Sequence, residues 1–92
     1  MIEKQIERRL AAGVKELGGK AYKFISPGNA GVPDRLVLLP GGVVKFVELK
    51  NASGRLRPVQ KLTIKEMVQL GAEVHTLYSV NDVEKFLKGL VE

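Results

Sequence analysis

Two apolar runs, Arg35 to Leu39 and Val43 to Leu49, stand either side of Pro40-Gly41-Gly42. Glycine and proline between two β-rich segments dictate a hairpin, and a hairpin decides which residues face each other. Side chains alternate along a strand, so Glu48 and Lys50 share a face with Val44 and Phe46. The loop length decides where Asp34 falls. A three-residue loop pairs Leu39 with Val43 and sets Asp34 directly opposite Glu48, with Cβ atoms about 4.5–5.5 Å apart. A two-residue Gly41-Gly42 turn instead pairs Asp34 with Leu49 and sends its carboxylate to the other face. A chemistry that needs both carboxylates together therefore predicts the odd-length loop, or a bulge of the same effect.

The rest of the chain supplies elements around this hairpin. Ile2, Ile6, Leu10, Val14 and Leu17 recur at spacings of three and four, which predicts an amphipathic helix closed by Gly18-Gly19. Ala21 to Ser26 reads as a short strand, and the Gly, Pro and Asn of residues 27–33 as a loop. Residues 51–57 form a polar, basic loop. Pro58 suits the first turn of a second helix, with Val59, Leu62, Met67 and Leu70 on its apolar face and Gly71 beyond its end. Glu73 to Tyr78 reads as a last strand. Ser79 caps a final helix, with Asp82 three residues on and Val83, Phe86, Leu87 and Leu90 facing inward. The order is α-β-β-β-α-β-α, an α/β arrangement.

Ninety-two residues, 45% of them hydrophobic, suit one domain over 1–92. A core of that size hides only about 60–65% of the unfolded surface, so a dimer would help it. No apolar run approaches the ~18 residues that cross a membrane, and the charged, periodic start does not read as a signal peptide. With no cysteine there is no disulfide, no thiolate nucleophile and no cysteine-based zinc site. A cytoplasmic location follows as the expectation. Fifteen Lys and Arg against ten Asp and Glu give a net charge of +5, which favours a polyanionic partner. Arg55, Arg57, Lys61 and Lys65 cluster just after Lys50 and are the candidate contacts to a phosphate backbone.

Two carboxylates brought together repel, and without a cation they are driven toward protonation. A divalent ion removes that penalty. Ligands that are all oxygen select Mg²⁺ or Mn²⁺, and the Leu49 carbonyl, between Glu48 and Lys50, could add a third. Lys50 is a compact charge placed to orient water or neutralise a phosphate oxygen. Each fragment is uninformative alone, since Glu-x-Lys is common in a chain with 27% charged residues. Joined by a hairpin and followed by a basic loop, they become informative, since a one-face cluster of Asp, Glu and Lys is what metal-dependent phosphodiester cleavage requires.

Gly31-Val32-Pro33-Asp34-Arg35, Phe46-Val47-Glu48-Leu49-Lys50 and Gln60 resemble the VRR-NUC family of the PD-(D/E)XK nuclease superfamily. The likeness runs from the first-helix glutamates to the helix start at Ser79-Val80-Asn81-Asp82. It implies a restriction-endonuclease-like αβββαβα core, a mixed four-stranded sheet flanked by helices. It also implies Mg²⁺- or Mn²⁺-dependent cleavage of DNA, with Asp34 and Glu48 as metal ligands and Lys50 as the catalytic lysine. Gln60 would hold a water or phosphate at the edge of the site. A first-helix glutamate usually joins such sites; Glu3 lies nearer the centre of the apolar stripe than Glu7 and is preferred, with Glu7 as the fallback. Small free-standing members, often phage-encoded, resemble Holliday junction resolvases and act as homodimers, which implies branched DNA as the substrate. Ile64 and Val68, off the main stripe of the second helix, are candidate dimer contacts.

Several residues carry plainer readings. Arg35 should face away from Asp34, toward a salt bridge or a phosphate. Lys23 and Ser26 lie on an exposed strand or near DNA. His75 reads as structural, and Tyr22, Phe24 and Phe46 as core.

Overall fold

The computed structural model describes residues 3–50 and 53–91. The expected contributions of Ile2 to the first helix and of Asn51 to the basic loop lie outside the described residues. The elements follow in the expected order: α1 (Glu3–Glu16), β1 (Lys20–Lys23), β2 (Arg35–Leu39), β3 (Val43–Leu49), α2 (Pro58–Gln69), β4 (Val74–Leu77) and α3 (Val80–Leu90). The sheet runs β1-β2-β3-β4, antiparallel across the first three strands, with β4 parallel to β3. A parallel neighbour needs a crossover, and α2 supplies it.

Alternation sorts the sheet residues. Val37, Val47, Leu49 and Leu77 point to one face and meet Ile6, Leu10 and Val14 of α1 and Val83, Phe86 and Leu87 of α3. This cluster is the hydrophobic core. Ser79 caps α3 as its sequence suggests, with its side-chain oxygen accepting from the Asp82 amide at 3.0 Å. The opposite face carries Leu36, Phe46 and Glu48, and at its Glu48 end the loop before β2 meets α2. Gly31 makes that approach possible. It sits at φ 87°, and a Cβ there would lie 2.6 Å from the Val59 carbonyl oxygen.

Three expectations need correction. The first strand stops at Lys23 rather than Ser26, because the next residues turn: the Asn29 amide donates to the Ser26 carbonyl at 3.1 Å. Tyr22 is 45% exposed, not core; it lies under the Lys20 ammonium, 4.9 Å from ring centre to nitrogen. Phe24 and Phe46 pack on each other, with ring centres 5.4 Å apart, but both are half-buried and stand outside the core cluster. The third correction concerns α2. Its expected apolar stripe is not what it buries, since Leu62 is 69% and Leu70 82% exposed. The buried residue is Gln60, at 5% exposure, flanked by half-buried Thr63, Ile64 and Met67. A polar tether sets the rotation of this helix: Gln60 reaches Glu48, and the Thr63 hydroxyl donates to the Ala30 carbonyl at 2.7 Å.

Candidate active site

The hairpin closes through three residues. Leu39 pairs with Val43 and Arg35 with Val47, so the same register carried one step further sets Asp34 opposite Glu48. Gly41 and Gly42, both at positive φ, make the turn, and the Gly42 amide donates to the Leu39 carbonyl at 3.2 Å. The two acids are cross-linked through backbone. The Asp34 amide donates to Glu48 Oε1 at 3.2 Å, and the Leu49 amide donates to Asp34 Oδ1 at 3.2 Å.

Glu48 is the hub. It is 4% exposed, and its Oε2 accepts from Gln60 Nε2 at 3.1 Å and lies 3.4 Å from Lys50 Nζ. Gln60 is itself held, its Oε1 accepting from the Arg57 amide at 2.8 Å. The expectation placed Gln60 at the edge of the site, facing water or phosphate. The structure instead buries it behind Glu48, where it orients the carboxylate and ties α2 to β3. Burial, with the Glu48 charge beside it, pushes the Asp34 carboxyl up to about 6 despite the Leu49 hydrogen bond.

The chemistry of this donor set fits a hard divalent cation: two crowded carboxylates on one face and, among the described residues, no imidazole or thiolate beside them. Among the described residues no cluster of three or more acids, histidines or cysteines forms, so backbone oxygen and water would complete the shell.

The helix-one glutamates do not enter this cluster. Glu3, preferred because it lies along the stripe of Ile6 and Leu10, is exposed. Among the described residues no hydrogen bond or ion pair ties it to Asp34, Glu48 or Lys50. Residues 3–5 are all exposed, and among the described residues Ile6 is the first of the helix to be buried, so Glu3 stands on its solvent side. Glu7 instead forms an ion pair with Arg35, whose guanidinium also donates to the Asp34 carbonyl at 3.2 Å. Arg35 thus faces away from the Asp34 carboxylate and into a salt bridge.

Arg55, Arg57, Lys61 and Lys65 are all exposed. Arg55 and Lys61 line a depression of about 560 Å³ together with Leu56 and Tyr78. Nothing local in the sequence marks Tyr78 for this place. Its signal lay in the parallel pairing of the final strand, since the Leu77 carbonyl accepts from the Lys50 amide at 2.9 Å and so brings the next residue beside Lys50. His75 lies elsewhere, edge-on to Phe86 at 4.9 Å and bonded to Glu73 at 2.6 Å, in keeping with a structural role.

The chain matches no family model. It is 46% identical over 77 residues to "Putative nuclease p44" of Acyrthosiphon pisum secondary endosymbiont phage 1, covering 84% of this chain and 83% of that protein. A solved structure described as a VRR_NUC domain superposes with a TM-score of 0.87 at 31% identity, covering 94% of each chain. The αβββαβα order, the mixed sheet and both similarities agree: the chain belongs to the VRR-NUC nuclease family.

Proposed function

We propose that this nuclease is a metal-dependent, structure-selective DNA endonuclease that cuts branched DNA, four-way junctions foremost. The observation that carries the reading is the juxtaposition of Asp34 and Glu48 across the hairpin, with Lys50 and Gln60 both on Glu48. Asp34, Glu48 and the Leu49 carbonyl would hold Mg²⁺ or Mn²⁺. Such an ion makes its bound water more acidic and offsets the charge that builds on phosphate oxygens in the transition state. Lys50 sits within reach of the same centre and neutralises a non-bridging oxygen or orients the attacking water. Gln60 keeps Glu48 in one rotamer. Arg55, Arg57, Lys61 and Lys65 engage the DNA backbone, which supplies affinity without reading sequence.

A substrate panel tests this. Synthetic junction, flap, nicked and linear duplexes are incubated with Mg²⁺, Mn²⁺ or a chelator. The junction should be cut fastest, by paired symmetric incisions, and only with metal. Equal or faster cutting of flap, single-stranded or linear DNA would replace junction resolution with a flap or loosely specific nuclease. Metal-independent binding with no cutting would leave a DNA-binding module on a nuclease fold.

Symmetric incision needs two active sites related by a two-fold axis, and a homodimer provides them. The exposed apolar side chains of α2 favour that assembly: Leu62 and Leu70 stand out with Val59, while Val68 is exposed on another flank and Ile64 is half-buried. Leu62→Glu with Leu70→Glu should shift the solution mass from twice 10.1 kDa to the single-chain value while circular dichroism stays unchanged. A wild-type chain that sediments as a monomer at micromolar concentration would remove the dimer.

A further inference from the structure

We propose that Glu7 acts on Asp34 through Arg35, as a positioning pair behind the site rather than as a third carboxylate within it. The functional meaning of this pair rests on the metal-holding role assigned above to Asp34.

Arg35 is 8% exposed, and a guanidinium at that depth is tolerated only with partners on its donors. It has two. One nitrogen pairs with the Glu7 carboxylate on α1; another donates to the Asp34 carbonyl at 3.2 Å. That carbonyl also accepts from the Phe24 amide at 2.9 Å. The other bonds of Asp34 lead forward into the site: its amide goes to Glu48 Oε1, and its Oδ1 accepts from Leu49. Asp34 is therefore clamped, with its carbonyl held from the β1 and α1 side and its amide and carboxylate held from β3. It needs the clamp because it follows a loop of glycine and proline and precedes the first residue of β2.

Geometry also sets Glu7 apart from the metal-holding groups. Arg35 alternates with Asp34 and so projects from the sheet face that carries the α1–α3 core, opposite Glu48. Glu7 meets it on that side. Its carboxylate is engaged by a guanidinium, which leaves it a poor third ligand and a good anchor for the loop that presents Asp34.

The test compares Glu7→Gln, Glu7→Ala, Arg35→Met and the double variant Glu7→Ala/Arg35→Met. Two measurements are made: amide hydrogen exchange without metal, and the Mn²⁺ dependence of junction cleavage. Glu7→Gln should speed exchange at the Asp34 and Phe24 amides by about threefold to tenfold while core amides of α3 hold their rates. It should raise the half-saturating Mn²⁺ concentration by a similar factor and recover most of the rate at saturating metal. Glu7→Ala should do more on both measures. The double variant should be no worse than Arg35→Met, because Glu7 has nothing to act on once the guanidinium is gone. Additive losses, or a large fall in the saturated rate with exchange at Asp34 unmoved, would place Glu7 in direct contact with the reaction and overturn the proposal. Uniformly faster exchange across the whole chain would reduce the pair to a stabilising one and overturn it too. Should the wild-type protein neither bind Mn²⁺ nor cut DNA, the nuclease reading fails, and selective exchange at Asp34 still decides whether the clamp exists.

Discussion

Asp34→Asn should reduce metal-dependent cleavage by about a thousandfold or more, a barrier increase of about 4 kcal/mol, and should make the metal-free protein more stable. Asparagine keeps the oxygen that accepts from the Leu49 amide and loses only the charge. That charge is held at a cost, since burial and the neighbouring Glu48 push the Asp34 carboxyl up to about 6. A folded-state value above the unfolded one of 3.8 means the folded protein binds the extra proton. Stability contributed by the neutral form is present below pH 4 and lost as the pH rises through 6. For a half-exposed carboxylate, solvent screening cuts the full linkage value to about 1–2 kcal/mol. In urea titrations at pH 7.5 without metal, Asp34→Asn should thus exceed the wild type by that amount, and the two should converge near pH 4. Millimolar Mg²⁺ should raise the wild-type midpoint and leave the variant unmoved, because only the wild type presents the paired charges proposed above to hold it. Equal stability of the two proteins at pH 7.5, together with undiminished cutting by the variant, would remove Asp34 from the site.

How much of this was legible in the chain depends on the kind of information each feature carries. The hairpin is local: alternation and a Pro-Gly-Gly turn name both strands and leave two registers, which differ in whether Asp34 and Glu48 meet. The three-residue closure resolves them. The α3 start at Ser79 and the α1 stripe of Ile6, Leu10 and Val14 are local as well, and both stand as expected. The errors came where a tertiary polar contact outweighed an apolar pattern. The rotation of α2 is set by Gln60 on Glu48 and by Gly31 against the Val59 carbonyl, contacts between residues 12 and 28 positions apart. Leucines at helical spacing could not reveal that, because their spacing names a face of the helix and says nothing of which polar side chains anchor it to the sheet. The same holds for Glu7. Helical phase alone favoured Glu3, whereas a buried arginine on β2 decides which glutamate the fold employs. Tyr78 needed the parallel β3–β4 pairing before it could be placed beside Lys50.

Deleting Gly42 should abolish cleavage, a loss of about a thousandfold or more, and should destabilise the fold by about 3 kcal/mol or more. The shortened connection is Pro40-Gly41. Retaining Leu39 opposite Val43 across it calls for a primed turn, whose first central residue needs positive φ. Proline is locked near −65° and cannot supply it. An ordinary type I or II turn splays the strands instead. The remaining route is a one-residue slip, which sends Asp34 opposite Leu49 and pairs core side chains such as Val37 and Val47 with the wrong face. Each route separates Asp34 from Glu48, and the slip also dismantles the buried cluster. Gly42→Asn is the control. It keeps the loop length, asparagine tolerates positive φ, and a Cβ at this position meets nothing within 4 Å. It should cost under about 1 kcal/mol and leave the cleavage rate within about threefold. Urea denaturation and the junction assay on both variants separate loop length from loop composition. Normal cutting by the deletion variant would show that the hairpin register is not what unites the two carboxylates.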